Sequence, residues 1–128
     1  MPVNMNMRIL IVDDFKTMLK IIESLLKQLG FKHIDEATDG TMALEKLKAN
    51  KYDLILSDWN MEPMTGIDLL KHVRANPTLK HIPVVLITAE SKAENIIAAK
   101  QAGVNNYIVK PFNAITLKEK LTAVIGQF

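Results

Sequence analysis

Four short apolar runs, each ending in a residue that can ionise or donate a hydrogen bond, constrain this chain more than any other feature. Ile9-Leu10-Ile11-Val12 runs into Asp13-Asp14, and Leu54-Ile55-Leu56-Ser57 into Asp58. Val84-Val85-Leu86-Ile87 ends at Thr88, and Tyr107-Ile108-Val109 at Lys110-Pro111. Runs this short and this continuously apolar read as strands of a parallel sheet, covered on both faces. In an open parallel sheet, ligands bind in the crevice outside the carboxyl ends of the strands. One end of the sheet is therefore expected to gather three carboxylates, a hydroxyl and an ammonium, a set suited to a Mg²⁺ ion and a phosphoryl group.

Helical patterns fill the intervals. From Lys16 to Leu29 the spacing places Met18, Ile21, Ile22, Leu25 and Leu29 on one face, and Gly30 supplies the stop. Met42, Ala43, Leu44 and Leu47 mark a second helix after Asp39-Gly40, and Leu69, Leu70 and Val73 a third after Gly66. A fourth spans about Lys92 to Ala102, closed by Gly103, and a fifth about Ala114 to Ile125, burying Leu117, Leu121 and Val124. The segment His33 to Ala37 alternates and is polar, which suits an edge strand. Five strand–helix units predict an α/β, doubly wound domain with a five-stranded parallel sheet. With the polar second strand at an edge, the expected order is 2-1-3-4-5. Residues 1–6 read as a loose arm, and 7–128 as the single domain.

At 128 residues the chain can bury an ordinary core without covalent staples, and it contains no cysteine. The early apolar run is too short for a signal peptide, and no stretch is long enough to span a membrane, so a cytoplasmic protein is expected. A net charge of +2, with arginine only at Arg8 and Arg74, argues against nucleic acid as a partner.

Taken singly, these site residues have ordinary readings. Asp13-Asp14 is a solvated loop pair, Ser57-Asp58 a capping pair, Thr88 a β-branched strand residue and Lys110 a strand-end lysine. Convergence changes the argument, because carboxylates about 4 Å apart repel by roughly 4 kcal/mol per pair at an effective dielectric near 20. A divalent cation compensates, and hard oxygen ligands favour Mg²⁺. Asp58 is then placed to attack phosphorus, with Asp13 and Asp14 holding the metal directly or through water. Lys110 would add a second cation, aimed inward by a cis Lys-Pro step. His33, His72 and His81 lack metal-ligand spacing and are expected at the surface.

The residues Val12-Asp13-Asp14-Phe15, Ser57-Asp58-Trp59-Asn60-Met61, Thr88-Ala89-Glu90, Glu94 to Ala99 and Tyr107 to Phe112 resemble the response-regulator receiver domain, in its chemotaxis form. The resemblance covers essentially the whole chain and implies a flavodoxin-like fold with the same strand order. It also implies a stand-alone two-component regulator that takes a phosphoryl group onto Asp58 from a sensor histidine kinase, and is a signalling switch rather than an enzyme. Mg²⁺ would be held by Asp14, Asp58 and the Asn60 backbone carbonyl, with Asp13 acting mainly through water. Thr88 and Lys110 would contact the phosphoryl group, Asn60 and Glu90 would tune its hydrolysis, and Thr88 with Tyr107 would form the switch. Ile96, Tyr107 and Lys120 would meet the partner, expected to be the flagellar motor switch, with a phosphatase as a further partner and a monomer as the working state.

One position departs from the family pattern: Glu62 stands where proline is usual, and Pro63 follows. Other functions compete. A phosphorelay or stress regulator would share the chemistry with a different partner. A Mg²⁺-dependent phosphohydrolase commonly carries a second acid two residues after the nucleophile, where this chain has Asn60. A flavin-binding protein would need a Ser/Thr/Gly-rich loop in place of Asp13-Asp14-Phe15-Lys16.

Overall fold

The structure, a computed structural model, describes residues 5–89 and 93–128. Strands and helices alternate in the order β1 (Arg8–Val12), α1 (Lys16–Gln28), β2 (His33–Ala37), α2 (Gly40–Ala49), β3 (Leu54–Asp58), α3 (Gly66–Ala75), β4 (Val84–Thr88), α4 (Ala93–Gln101), β5 (Asn106–Val109) and α5 (Ala114–Ile125). The strands form one parallel sheet in the order β2-β1-β3-β4-β5. The polar strand β2 does lie at an edge, and the apolar β1, β3 and β4 lie inside.

Because side chains alternate across a strand, each central strand feeds two cores. Ile9, Ile11, Leu54, Leu56, Val85 and Ile87 pack with Leu19, Ile22 and Leu26 of α1 and Leu117 and Leu121 of α5. Leu10, Val12, Ile55, Val84 and Leu86 pack on the opposite side with α2, α3 and Ala99 of α4. Burying both faces is the reason these runs carry no polar alternation.

Helix ends follow local chemistry. Asp39, Thr65 and Asn113 cap α2, α3 and α5 by accepting from the backbone N–H of Met42, Asp68 and Thr116. Gly30 and Gly103 close α1 and α4 with φ of 108° and 94°, a left-handed backbone that favours glycine.

Three details differ from the periodicity reading. The buried face of α1 is Leu19, Ile22 and Leu26, while Ile21 is exposed. Met18, Leu25 and Leu29 flank that face, half-buried. In α2 the buried residues are Gly40, Ala43 and Leu47, and Met42 points to solvent. Met5, assigned to the loose arm, packs against the α1/α5 core.

Candidate functional site

The chain leaves β1 toward one edge of the sheet and β3 toward the other, so a crevice opens above the carboxyl ends of this adjacent pair. Backbone hydrogen bonds carry the ladder one residue past the strands. Asp13 N–H donates to the Ala37 carbonyl at 3.1 Å, Trp59 N–H to Ile87 at 2.8 Å, and Lys110 N–H to Thr88 at 2.7 Å. Asp13, Asp58 and Lys110 therefore stand on rigid backbone rather than on free loop.

Asp13, Asp14 and Asp58 converge, each offering a carboxylate oxygen within 4.8 Å of the others. Asp13 is 1% exposed and Asp58 5%, whereas Asp14 opens to solvent. One Asp13 oxygen accepts from Phe15 N–H at 2.9 Å, and the other, Oδ2, is buried without a hydrogen-bond partner. A buried acceptor without a hydrogen bond is costly, and positive charge nearby offsets that cost. Lys110 Nζ lies 3.0 Å from Asp58 Oδ1 and 3.8 Å from Asp13 Oδ2. Among the described residues, one ammonium thus stands against three carboxylates.

Electrostatics follow from this crowding. Burial, opposed by the Phe15 N–H and reinforced by the neighbouring Asp58, pushes Asp13 up from 3.8 to about 6. Burial also raises Asp58, although the Lys110 hydrogen bond and charge pull the other way. Both shifts express the cost of ionised carboxyls in a shared, poorly solvated site. A group of oxygen donors with that deficit fits a hard divalent cation.

The floor of the site is closely fitted. A Cβ on Gly66 would overlap the Asp58 carbonyl oxygen, and Gly66 N–H donates to the Trp59 carbonyl at 2.9 Å. Only glycine lets the start of α3 approach the Asp58 backbone so closely. Ser57 Oγ, fully buried, donates to the same Asp58 carbonyl at 3.0 Å. Periodicity alone could not assign these two supporting roles, because neither residue points into the crevice. Trp59 is half-buried beside Asp58, and Asn60 is exposed at the crevice mouth.

Thr88, 5% exposed, ends β4 next to Lys110. Register pairs Thr88 with Val109 and Leu86 with Tyr107, so Thr88 and Tyr107 project from the same face of the sheet. The half-buried Tyr107 ring lies beneath Lys120, whose Nζ is 4.7 Å from the ring centroid. Ile96 is half-buried, and its neighbour Ile97 is the exposed one at 54%. Glu90 lies outside the described residues. Lys110–Pro111 is cis, as expected, and Glu62–Pro63 is cis too. The three histidines are exposed and apart from the acids.

A parallel five-stranded sheet with this acidic triad at its switch point defines a class. The sequence matches the response regulator receiver domain over residues 9–122, and the chain belongs to that family. Similarity within the family runs to chemotaxis proteins. CheY-3 of Vibrio cholerae serotype O1 is 60% identical over 121 residues, 94% of this chain and 93% of that protein. CheY of Pseudomonas aeruginosa is 57% identical over 118 residues, covering 92% and 95%. Among solved structures, Vibrio cholerae CheY4 superposes with a TM-score of 0.87 at 34% identity, covering 93% of this chain and 98% of that one. The receiver domain of a Pseudomonas aeruginosa sensor histidine kinase gives 0.84 at 29% identity, covering 95% and 99%; it holds a magnesium ion coordinated in its active site cleft. The chain is thus a response regulator receiver domain, the module of a signalling switch, similar over nearly its whole length to chemotaxis proteins.

Proposed function

We propose that Asp58 accepts a phosphoryl group from a phosphohistidine on a sensor kinase, in a step assisted by Mg²⁺. The observation that carries this reading is the triad itself: three carboxylate oxygens within 4.8 Å of one another, with Lys110 Nζ 3.0 Å from Asp58 Oδ1. Asp13, Asp14 and Asp58, with the Asn60 carbonyl, are the groups that would hold the ion. When bound, it supplies positive charge to offset that on the phosphoryl oxygens.

The remaining steps belong to the chain. An Asp58 carboxylate oxygen attacks phosphorus, the phosphorus–nitrogen bond to the donor imidazole breaks, and the imidazole leaves with the electron pair and takes up a proton. Lys110 offsets the charge gained by the acylphosphate oxygens, and the Thr88 hydroxyl donates to one of them. Water later attacks phosphorus, the bond to Asp58 breaks, and the carboxylate and inorganic phosphate are released. In this reading Asn60 and Glu90 tune that hydrolysis.

Phosphorylation signals by biasing two arrangements of one element. Thr88 turning toward the phosphoryl group clears space on the face it shares with Tyr107. The ring then moves inward from under Lys120, changing the surface formed by α4, β5 and α5. Ile96, Tyr107 and Lys120 meet the partner there, with Ile97 as an added apolar contact. The partner expected is the flagellar motor switch. Titrating a motor-switch peptide against the protein, with and without phosphodonor, tests this output. Binding should strengthen about tenfold or more on phosphorylation, a bias of roughly 1.4 kcal/mol or more. Equal affinity in both states would contradict it.

A further inference from the structure

The segment between β3 and α3 carries an acid that the chemistry above does not use. Its position is well fixed. Gly66 N–H donates to the Trp59 carbonyl at one end, Thr65 caps the first turn of α3, and Met61 is buried in the core beneath α2 and α3. Glu62, directly after that buried anchor, is exposed. Together with Pro63 and Thr65 it lines a cleft of about 440 Å³ that Asp14 and Asn60 also line. Asp14 joins this cleft to the triad, where Asp13 Oδ2 is buried without a hydrogen bond, 3.8 Å from Lys110 Nζ. Glu62 therefore adds a further negative charge on the solvent side, while Lys110 is the ammonium paired with the triad among the described residues.

We propose that Glu62 tunes the affinity of the cation site, attracting the divalent ion from the cleft they share through intervening water. This rests on the reading that Asp13, Asp14 and Asp58 hold Mg²⁺. Magnesium gives up its water reluctantly and keeps part of its hydration in protein sites, so a carboxylate one water away still contributes. The consequence has two signs. Glu62 tightens the cation and opposes an incoming anion, so the regulator is charged with metal at lower Mg²⁺ but meets phosphoryl-like anions less readily. Its charge raises the affinity for the ion without adding a direct ligand.

The test uses metal-free protein at low ionic strength, with Trp59 emission as the readout and calorimetry as a second measure. Mg²⁺ is titrated into the wild type, Glu62→Gln and Glu62→Asp. The Gln variant should need about three- to tenfold more Mg²⁺, as one charge acting across water predicts. The Asp variant should recover most of the loss, and about 0.5 M potassium chloride should narrow the gap. At saturating Mg²⁺, fluoroberyllate should bind Glu62→Gln about two- to threefold more tightly than the wild type, the opposite sign. Damage to the loop would weaken both ligands together. Coincident Mg²⁺ midpoints, or both ligands weakened, would overturn the role of Glu62. A wild type that binds no Mg²⁺ by either method would instead remove the metal reading on which the proposal rests.

Discussion

Asp13 shows how a single carboxyl can be held in a state that suits its partner more than itself. It sits one residue past β1, is shut off from water, and has one oxygen satisfied and one orphaned. Its acidity moves from 3.8 to about 6, chiefly through burial. A raised carboxyl makes the folded state the better proton binder, so its contribution to stability is complete below pH 4 and is lost as pH rises through 6. Between pH 4.5 and 7 that loss is about 2 kcal/mol in the absence of metal. Urea unfolding of the metal-free wild type and Asp13→Asn should show it as a difference between the two proteins that grows with pH. Saturating Mg²⁺ at pH 7 should restore the wild type by binding only the folded state. Parallel pH curves for the two proteins would contradict this account of Asp13. Asp35 behaves in the opposite sense. Its carboxylate accepts from the Tyr52 hydroxyl at 2.6 Å and from Arg8 at 2.9 Å, and the first of these does most to hold it below the ordinary range.

Among the elements, the far end of α4 is tied to α3 and β4. Arg74, in the last turn of α3, donates to the carbonyls of Gly103, Lys80 and Ile82 at 3.0, 3.0 and 2.7 Å, and to Asn105 Oδ1 at 2.7 Å. The same Asn105 oxygen accepts from Val84 N–H at 2.9 Å. One guanidinium thus joins the end of α3, the start of β4 and the turn that closes α4. Arg74→Met should cost about 1–3 kcal/mol in thermal or urea unfolding, the modest end reflecting the solvent exposure of most of these bonds. Arg74→Lys should recover little, because an ammonium cannot reproduce the fork. A variant as stable as the wild type would show the network to be dispensable. Nothing in the sequence marks Arg74 for this role, since an arginine on a helix carries no signal of the four acceptors that the fold brings to it.

Strands and helix limits were legible because they rest on local chemistry: continuous apolar runs, and the stops at Gly30 and Gly103. Helix faces were less so. Neighbouring apolar pairs such as Ile21-Ile22 and Met42-Ala43 differ by only about 100° around the axis, and which member faces the sheet depends on how the helix rolls on it. The triad was legible because each acid ends a strand and parallel pairing brings those ends together. Ser57 and Gly66 were not, because they support the Asp58 backbone rather than enter the crevice.

At the scale of the whole molecule, the two-core sheet is a rigid frame linking the acid cluster to the edge formed by β5. Thr88 stands at the junction: its carbonyl accepts from Lys110 N–H at the crevice, and it shares a sheet face with Tyr107 of the neighbouring strand. Every functional statement above depends on Asp58 being the residue that accepts phosphorus. The most direct measurement incubates the protein with phosphoramidate and Mg²⁺, then reads intact mass and maps the modified peptide. One phosphoryl group on the wild type, located at Asp58 and absent from Asp58→Asn, is the predicted result. Undiminished phosphorylation of Asp58→Asn, or a phosphoryl group mapped to another side chain in the wild type, would contradict the account.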